Sequence, residues 1–287
     1  MYRDKNGRFY RRKCVNKVML SGSFFAVGFG LFWLGWTLFT LIHKGIPELS
    51  LSLFTLPTPA PNETGGLSNA IMGSFMMLVF ATLIGTPVGI LAGTYLAEYG
   101  RYSKLAKVTR FLNDILLSAL SIIIGLFIYA IYVSHVKHYS GWAGSFALAI
   151  LVVPVVVRTT DSMLNLIPNN LREAAVALGC PQWRMITMVC YKAARSGIIT
   201  GVLLAVARIS GETAPLLFTA LSNQFSSLDM NAPMANLPVV IYQYAASPFQ
   251  DWNSLAWAGA TLITGFVLCI NILTRIFFKP KQQQEMQ

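Results

Sequence analysis

The chain reads as long apolar runs parted by short polar or basic stretches, not as the period-2 alternation of a half-buried strand. Six candidate runs stand out, at about 18–42, 69–97, 109–133, 142–160, 197–221 and 253–278. They are measured against the roughly 18 or more apolar residues that cross about 30 Å of hydrocarbon. Each predicts a membrane-spanning helix, because a helix satisfies its own backbone N–H and C=O groups where no water can. The first run is too long for the apolar core of a secretory leader, and no small-residue cleavage site follows it, so it predicts a retained helix. Gly85 and Pro87 predict a kink in the second run. Gly85, Gly89 and Gly93 form a G-x-x-x-G-x-x-x-G ridge, which predicts close helix packing.

The connections divide the chain into a basic tail (1–17), a first span (18–42), a Pro-, Thr- and Gly-rich outer loop (43–68), a five-span core (69–278) and a second tail (279–287). Basic residues set the predicted orientation. Seven Lys or Arg lie in the first tail, four around 101–110, five between Arg158 and Arg195, and three at the end, against only Lys44 and Lys137 on the other side. Both termini are therefore predicted to be cytoplasmic. The outer segment 222–252, moderately apolar, is expected to pack against the membrane face.

Composition agrees with a membrane protein: of 287 residues, 55% are hydrophobic and 11% charged, against about a quarter charged in soluble domains. The positive-inside asymmetry accounts for the net charge of +11 without nucleic acid. The four cysteines include no C-x-x-C pair, and His135 and His138 lack a third ligand nearby, so no metal site is predicted. No G-x-x-x-x-G-K-[ST] is present, so any ATPase must be a separate polypeptide.

Two stretches carry candidate chemistry. In the inner loop 161–196, "PNNLREAAVALGCPQWRMITMVCYK" predicts a helix capped by Asn169 or Asn170 with Glu173 in its first turn. Leu171, Ala174, Ala175 and Leu178 make one apolar face, Gly179 ends the helix, and Pro181 opens a second. Read without further context, the element is either an interfacial pair lying on lipid or a docking element for a soluble partner. The second stretch, "ARISGETAPLLF", puts Arg208 and Glu212 inside the fifth run, with Arg208 about 16 Å deep. An unpaired charge at that depth costs between about 3 and over 10 kcal/mol, so the two residues either neutralise each other and pin helices, or line a route for an anion. A guanidinium suits phosphate because its planar fork donates two parallel hydrogen bonds. Thr213 and Ser210 are candidate hydroxyl donors beside it.

"EAAVALG" resembles the EAA motif of bacterial ABC-importer permeases, with Glu173, Ala174, Ala175, Gly179 and Val189 matching. Tyr191 and Lys192 replace the family's Leu-Pro. "RISGETAPLLFTA", "PVGILAGTYLAEYG", "VVVRTTDSML" and "ANLPVVIYQYAASP" are similar to the permease subunits of phosphate-specific ABC importers, PstA type. The resemblance implies an all-α, six-helix membrane protein with the type I importer permease fold, resident in the bacterial inner membrane and importing inorganic phosphate. It implies that Glu173, Ala174, Ala175, Leu178 and Gly179 form a helix that fits a groove on the ATPase. It implies that Arg208 and Arg158, the latter at the inner mouth of the fourth span, serve transport, with Glu212 and Thr213 beside Arg208. The implied partners are a homologous permease (PstC type), an ATPase dimer (PstB type) carrying ATP and magnesium, and a periplasmic phosphate-binding protein (PstS type). This chain itself is expected to bind no cofactor and to hydrolyse nothing. An ABC permease for sulfate or molybdate, an ion-coupled secondary transporter, and a structural or sensory subunit are the competing readings.

Overall fold

A computed structural model describes residues 5–61, 63–100 and 103–277. Arg3, Arg101, Lys279, Lys281 and the tail 279–287 lie outside these, as does Asn62 of the sequon-like triplet Asn62-Glu63-Thr64, which the sequence gives reason only to treat as chance. Among the described residues every element is helical. In order they are α1 (Lys5–Gly45), α2 (Ser52–Thr55), α3 (Ser68–Thr94), α4 (Lys104–Ser118), α5 (Ser121–Ile128), α6 (Ser134–Val136), α7 (Gly141–Asn165), α8 (Asn169–Ala177), α9 (Gln182–Arg184), α10 (Tyr191–Ile209), α11 (Ala214–Thr219), α12 (Leu237–Ala245) and α13 (Gln250–Phe277). Three π-helical turns, Tyr95–Tyr99, Tyr129–Val133 and Met185–Cys190, extend α3, lengthen α5 and open α10.

Five helices are long and apolar enough to span a membrane, and the bent pair α4–α5 makes a sixth. The first helix starts earlier than the hydropathy suggests: the basic stretch from Lys5 onward continues it rather than forming a separate tail. Its span is exposed all along. It meets the bundle at its outer end, where Gly45 abuts Thr261 and Lys44 lies 5.0 Å over the Trp257 ring.

α3 and α7 form the centre. A methyl on Gly85, Gly89 or Gly93 would sit 2.9, 2.7 or 2.7 Å from the Cβ of Val152, Val156 or Thr160. The constant offset shows that the two helices run parallel in contact, and that the glycines permit an approach no Cβ would. Pro87 stands inside α3, which continues through it. α10 packs antiparallel on α7, with Gly197 against Met163 and Gly201 against Thr159. Met77, Ala81, Leu148, Val152, Val156, Ala205 and Ile209 fill the core between the three.

Three elements depart from the expectations above. The third run is not one straight helix: Ala119 and Leu120 adopt extended backbone, and α4 and α5 meet at 102°. The fifth run stops at Ile209, restarts at Ala214, and places Pro215 in the first turn of α11. Pro215 has no N–H for the carbonyl of Gly211 and its ring would clash there, while Gly211 itself weakens a helix, so the ladder breaks between them. The outer segment 222–252 folds back onto the bundle and buries part of its apolar surface there. Its α12 is capped by Asn236, whose side chain accepts from Val239 N–H, and buries Leu237, Val239, Val240 and Tyr244. Tyr244 stacks on Trp252 at the start of α13, ring centroids 4.5 Å apart.

Candidate functional site

Helix register sets the depth of Arg208. Gly201 faces Thr159 on the antiparallel α7, so two turns further along α10 Arg208 comes level with Val152. Val152 in turn packs on Gly85, close to the middle of α3. The guanidinium thus stands at mid-depth, in the last turn of α10, where the helix breaks. Arg208 Nε lies 3.9 Å from Glu212 Oε1, with the two side chains 42% and 19% exposed. That separation gives Coulombic attraction without a hydrogen bond. Among the described residues, Arg208 donates no hydrogen bond to protein, so its planar fork is open to a ligand. Thr213 occupies the N-cap position of α11 at the far side of the break, without a side-chain capping bond. Ser210 is not the free donor the sequence suggested, since its hydroxyl donates to the Ala207 carbonyl at 2.8 Å.

Arg158 is not at the mouth of its span: α7 continues to Asn165, about 10 Å beyond it. Arg158 donates to Asp114 of α4 at 2.9 Å, and both side chains are more than half exposed. One turn nearer the inner end, Arg110 makes a two-pronged contact with Asp161, Nε–Oδ2 2.9 Å and Nη2–Oδ1 3.0 Å, and donates to the Leu96 carbonyl. Asn165 also donates to Asp161, and Asp161 is buried. The two ion pairs differ in kind. Breaking a buried pair by removing one partner costs roughly 3–5 kcal/mol, whereas a half-exposed pair contributes about 0–1 kcal/mol. Arg110–Asp161 fastens α4 to α7, and Arg158–Asp114 is a loose pair whose members are free to exchange partners.

At the inner end, α8 begins at Asn169 with Pro168 as its N-cap residue, so neither asparagine caps it through its side chain. It ends as the sequence indicates: Gly179 takes φ +77°, Gly179 N–H reaches Val176 O, and Cys180 N–H reaches Ala175 O, the paired bonds of a glycine-terminated helix. The apolar face divides in two. Ala175 packs inward on the apolar cluster that includes Leu164, Ile167, Met185, Ile186 and Cys190, while Leu171, Ala174 and Leu178 are exposed beside exposed Glu173. Leu178 is 88% and Trp183 59% exposed.

Arg172, to which the sequence reading gave only a charge count, anchors this helix. It donates through Nε and Nη2 to Glu98, the shorter contact 2.7 Å, and caps the end of α7 by donating to Leu164 O at 2.7 Å and Ile167 O at 2.6 Å. The two side chains are only 12% and 4% exposed. The Glu98 hydrogen bond raises the Arg172 pKa above its ordinary value against the opposing effect of burial. The signals for Glu98, Asp114 and Asp161 were in the sequence. Each is a lone acid in an otherwise apolar or basic stretch, and Arg110/Asp114 and Arg158/Asp161 repeat the same Arg-then-Asp order about one turn apart, which antiparallel packing of α4 on α7 turns into two facing pairs of opposite charge.

Membrane-length helices around a mid-depth guanidinium, with a structured element at one end, define a polytopic membrane permease. Residues 85–280 match the family described as binding-protein-dependent transport system inner membrane component. The chain is 75% identical over 278 residues to the phosphate transport system permease protein PstA of Pasteurella multocida (97% of this chain, 99% of the relative), and 72% identical over 282 residues to that of Haemophilus influenzae (98% and 100%). Among solved structures, a chain of a bacterial alginate ABC transporter with its periplasmic protein superposes with TM-score 0.64 at 16% identity, covering 95% of this chain and 98% of that one. A chain of the inward-facing MetNI methionine ABC transporter gives 0.55 at 19%, covering 72% and 92%. This chain belongs to the family of binding-protein-dependent transport system inner membrane components, and its high-identity relatives are PstA permeases.

Proposed function

We propose that this chain is the permease subunit of an ATP-driven importer of inorganic phosphate and forms half of the translocation route with a homologous permease of PstC type. The observation that carries the reading is Arg208, a guanidinium at mid-depth, at a helix break, with no hydrogen bond to protein among the described residues and a carboxylate 3.9 Å away. Two parallel N–H···O bonds recognise a phosphate oxyanion, and Glu212 keeps the site from becoming a permanent anion trap. Arg158, with Asp114 as its exchangeable partner, offers a second station nearer the inner end of α7, and Thr213 lies beside the first. The exposed face of α8, with Glu173, Ala174 and Leu178, docks on a PstB-type ATPase dimer, where ATP and magnesium are bound. Ala175 and Gly179 fix that helix's seat and turn, and the chain itself needs no cofactor. Both termini are cytoplasmic, and a PstS-type binding protein delivers phosphate on the opposite side.

Purified complex in proteoliposomes tests this with phosphate, sulfate and molybdate in turn. ATP-dependent phosphate uptake that a proton ionophore leaves intact supports the reading. Preference for sulfate or molybdate changes the cargo, and collapse with the ionophore replaces the importer with an ion-coupled carrier.

A further inference from the structure

We infer that Arg172 and Glu98 form a clasp that stays closed through the transport cycle and makes α8 a rigid extension of α3 and α7. The inference rests on the docking role of α8 given above. Only Leu166, Ile167 and Pro168 separate α7 from α8. Left to those residues, a push on α8 would be absorbed as hinge motion in the link.

The geometry removes that freedom. Arg172 uses Nε, Nη1 and Nη2 at once, holding Glu98 at the inner end of the α3 extension and the Leu164 and Ile167 carbonyls at the end of α7. A second tie runs alongside, with the Thr94 and Tyr191 hydroxyls 2.8 Å apart between α3 and α10. Ala97, Leu164, Ile167, Met185, Ile186 and Cys190 enclose the junction with apolar contacts. At 12% and 4% exposure, the pair is beyond the reach of ionic screening that weakens exposed pairs. Arg208 and Arg158 show the opposite design, since among the described residues each keeps donors unused. In this chain the saturated arginine transmits and the unsaturated ones receive. Motion of α8 therefore tilts α7, which carries Arg158 about 10 Å from the clasp side.

The test uses the assembled complex with Glu98→Gln and, separately, Arg172→Lys, which keeps the charge but loses the fork. Two quantities are read: ATPase retained with the permease, and phosphate transported per ATP hydrolysed. The clasp predicts retained ATPase and a transport-to-hydrolysis ratio lower by about tenfold, within the usual range of coupling between linked sites. An unchanged ratio with the ATPase bound overturns it. Loss of the ATPase from Glu98→Gln overturns it too, because the pair would then shape the docking face rather than transmit motion. Failure of the docking role itself looks different: Leu178→Glu, on the exposed face of α8 with the clasp intact, would leave ATPase retention unchanged.

Discussion

Asp114→Asn and Asp161→Asn separate a pathway charge from a structural one. Asp114 makes one contact with Arg158, 2.9 Å, and both side chains are more than half exposed, so its removal costs stability no more than about 1 kcal/mol. Asp161 accepts from both Nε and Nη2 of Arg110 and from Asn165, and is 12% exposed. Its replacement removes the charge partner of a guanidinium that is one-third exposed and still bonded to the Leu96 carbonyl, and costs about 3 kcal/mol, the low end for a buried pair. The transport effects run the other way. On the proposed route, Asp114 repels an anion arriving at Arg158. For a doubly charged phosphate about 6 Å from the carboxylate in a water-like medium, that repulsion is about 1.4 kcal/mol. Without it the anion is held about tenfold more tightly at Arg158, and turnover falls by a similar factor where release from that station limits the rate. The assay pairs the yield of assembled complex on size exclusion with initial uptake rates in proteoliposomes. Asp114→Asn should assemble as the parent does and transport about tenfold more slowly, while Asp161→Asn should yield little complex. Parental transport by Asp114→Asn, or equal loss of assembly in both variants, would refute the assignment.

Other expectations follow from the same geometry. Gly89→Ala places a methyl 2.7 Å from Val156 Cβ and 3.2 Å from the Val153 carbonyl. This overpacking of α3 on α7 should cost about 1–3 kcal/mol, read as a lower thermal midpoint of the complex in detergent, and an unchanged midpoint would show that the helices can part cheaply. Ala175→Trp should weaken capture of the ATPase in a pull-down, because the residue is packed on the apolar cluster under the docking face. Equal capture would count against docking through α8. Glu212→Gln should leave assembly intact and slow phosphate release rather than binding, seen as tighter retention of labelled phosphate, and unaltered retention would remove Glu212 from the route.

The spans were legible because hydrocarbon admits almost nothing but long apolar helices, and the charges at 208 and 212 were legible because they violate that rule. The break in the fifth run was also written in the chain, as Gly211 followed four residues later by Pro215, but hydropathy averaged over a window smooths it away. The 102° bend at Ala119–Leu120 has no such mark: neither residue is Gly or Pro, and the bend depends on α4 being tied to α7 through Arg110 and Asn113 while α5 packs on Pro215. Arg172 was hidden by the positive-inside pattern itself. One basic residue among several in an inner loop looks like an anchor until its partner Glu98, 74 residues earlier, is brought beside it.

The most direct measurement is initial phosphate uptake by the reconstituted complex carrying Arg208→Gln, beside its assembly and ATP hydrolysis. Two charge-assisted hydrogen bonds at roughly 1.5–3 kcal/mol each predict a fall in uptake of at least about a hundredfold with subunit composition unchanged. Uptake at the parental rate by a fully assembled Arg208→Gln complex would contradict the claim that this guanidinium handles the anion.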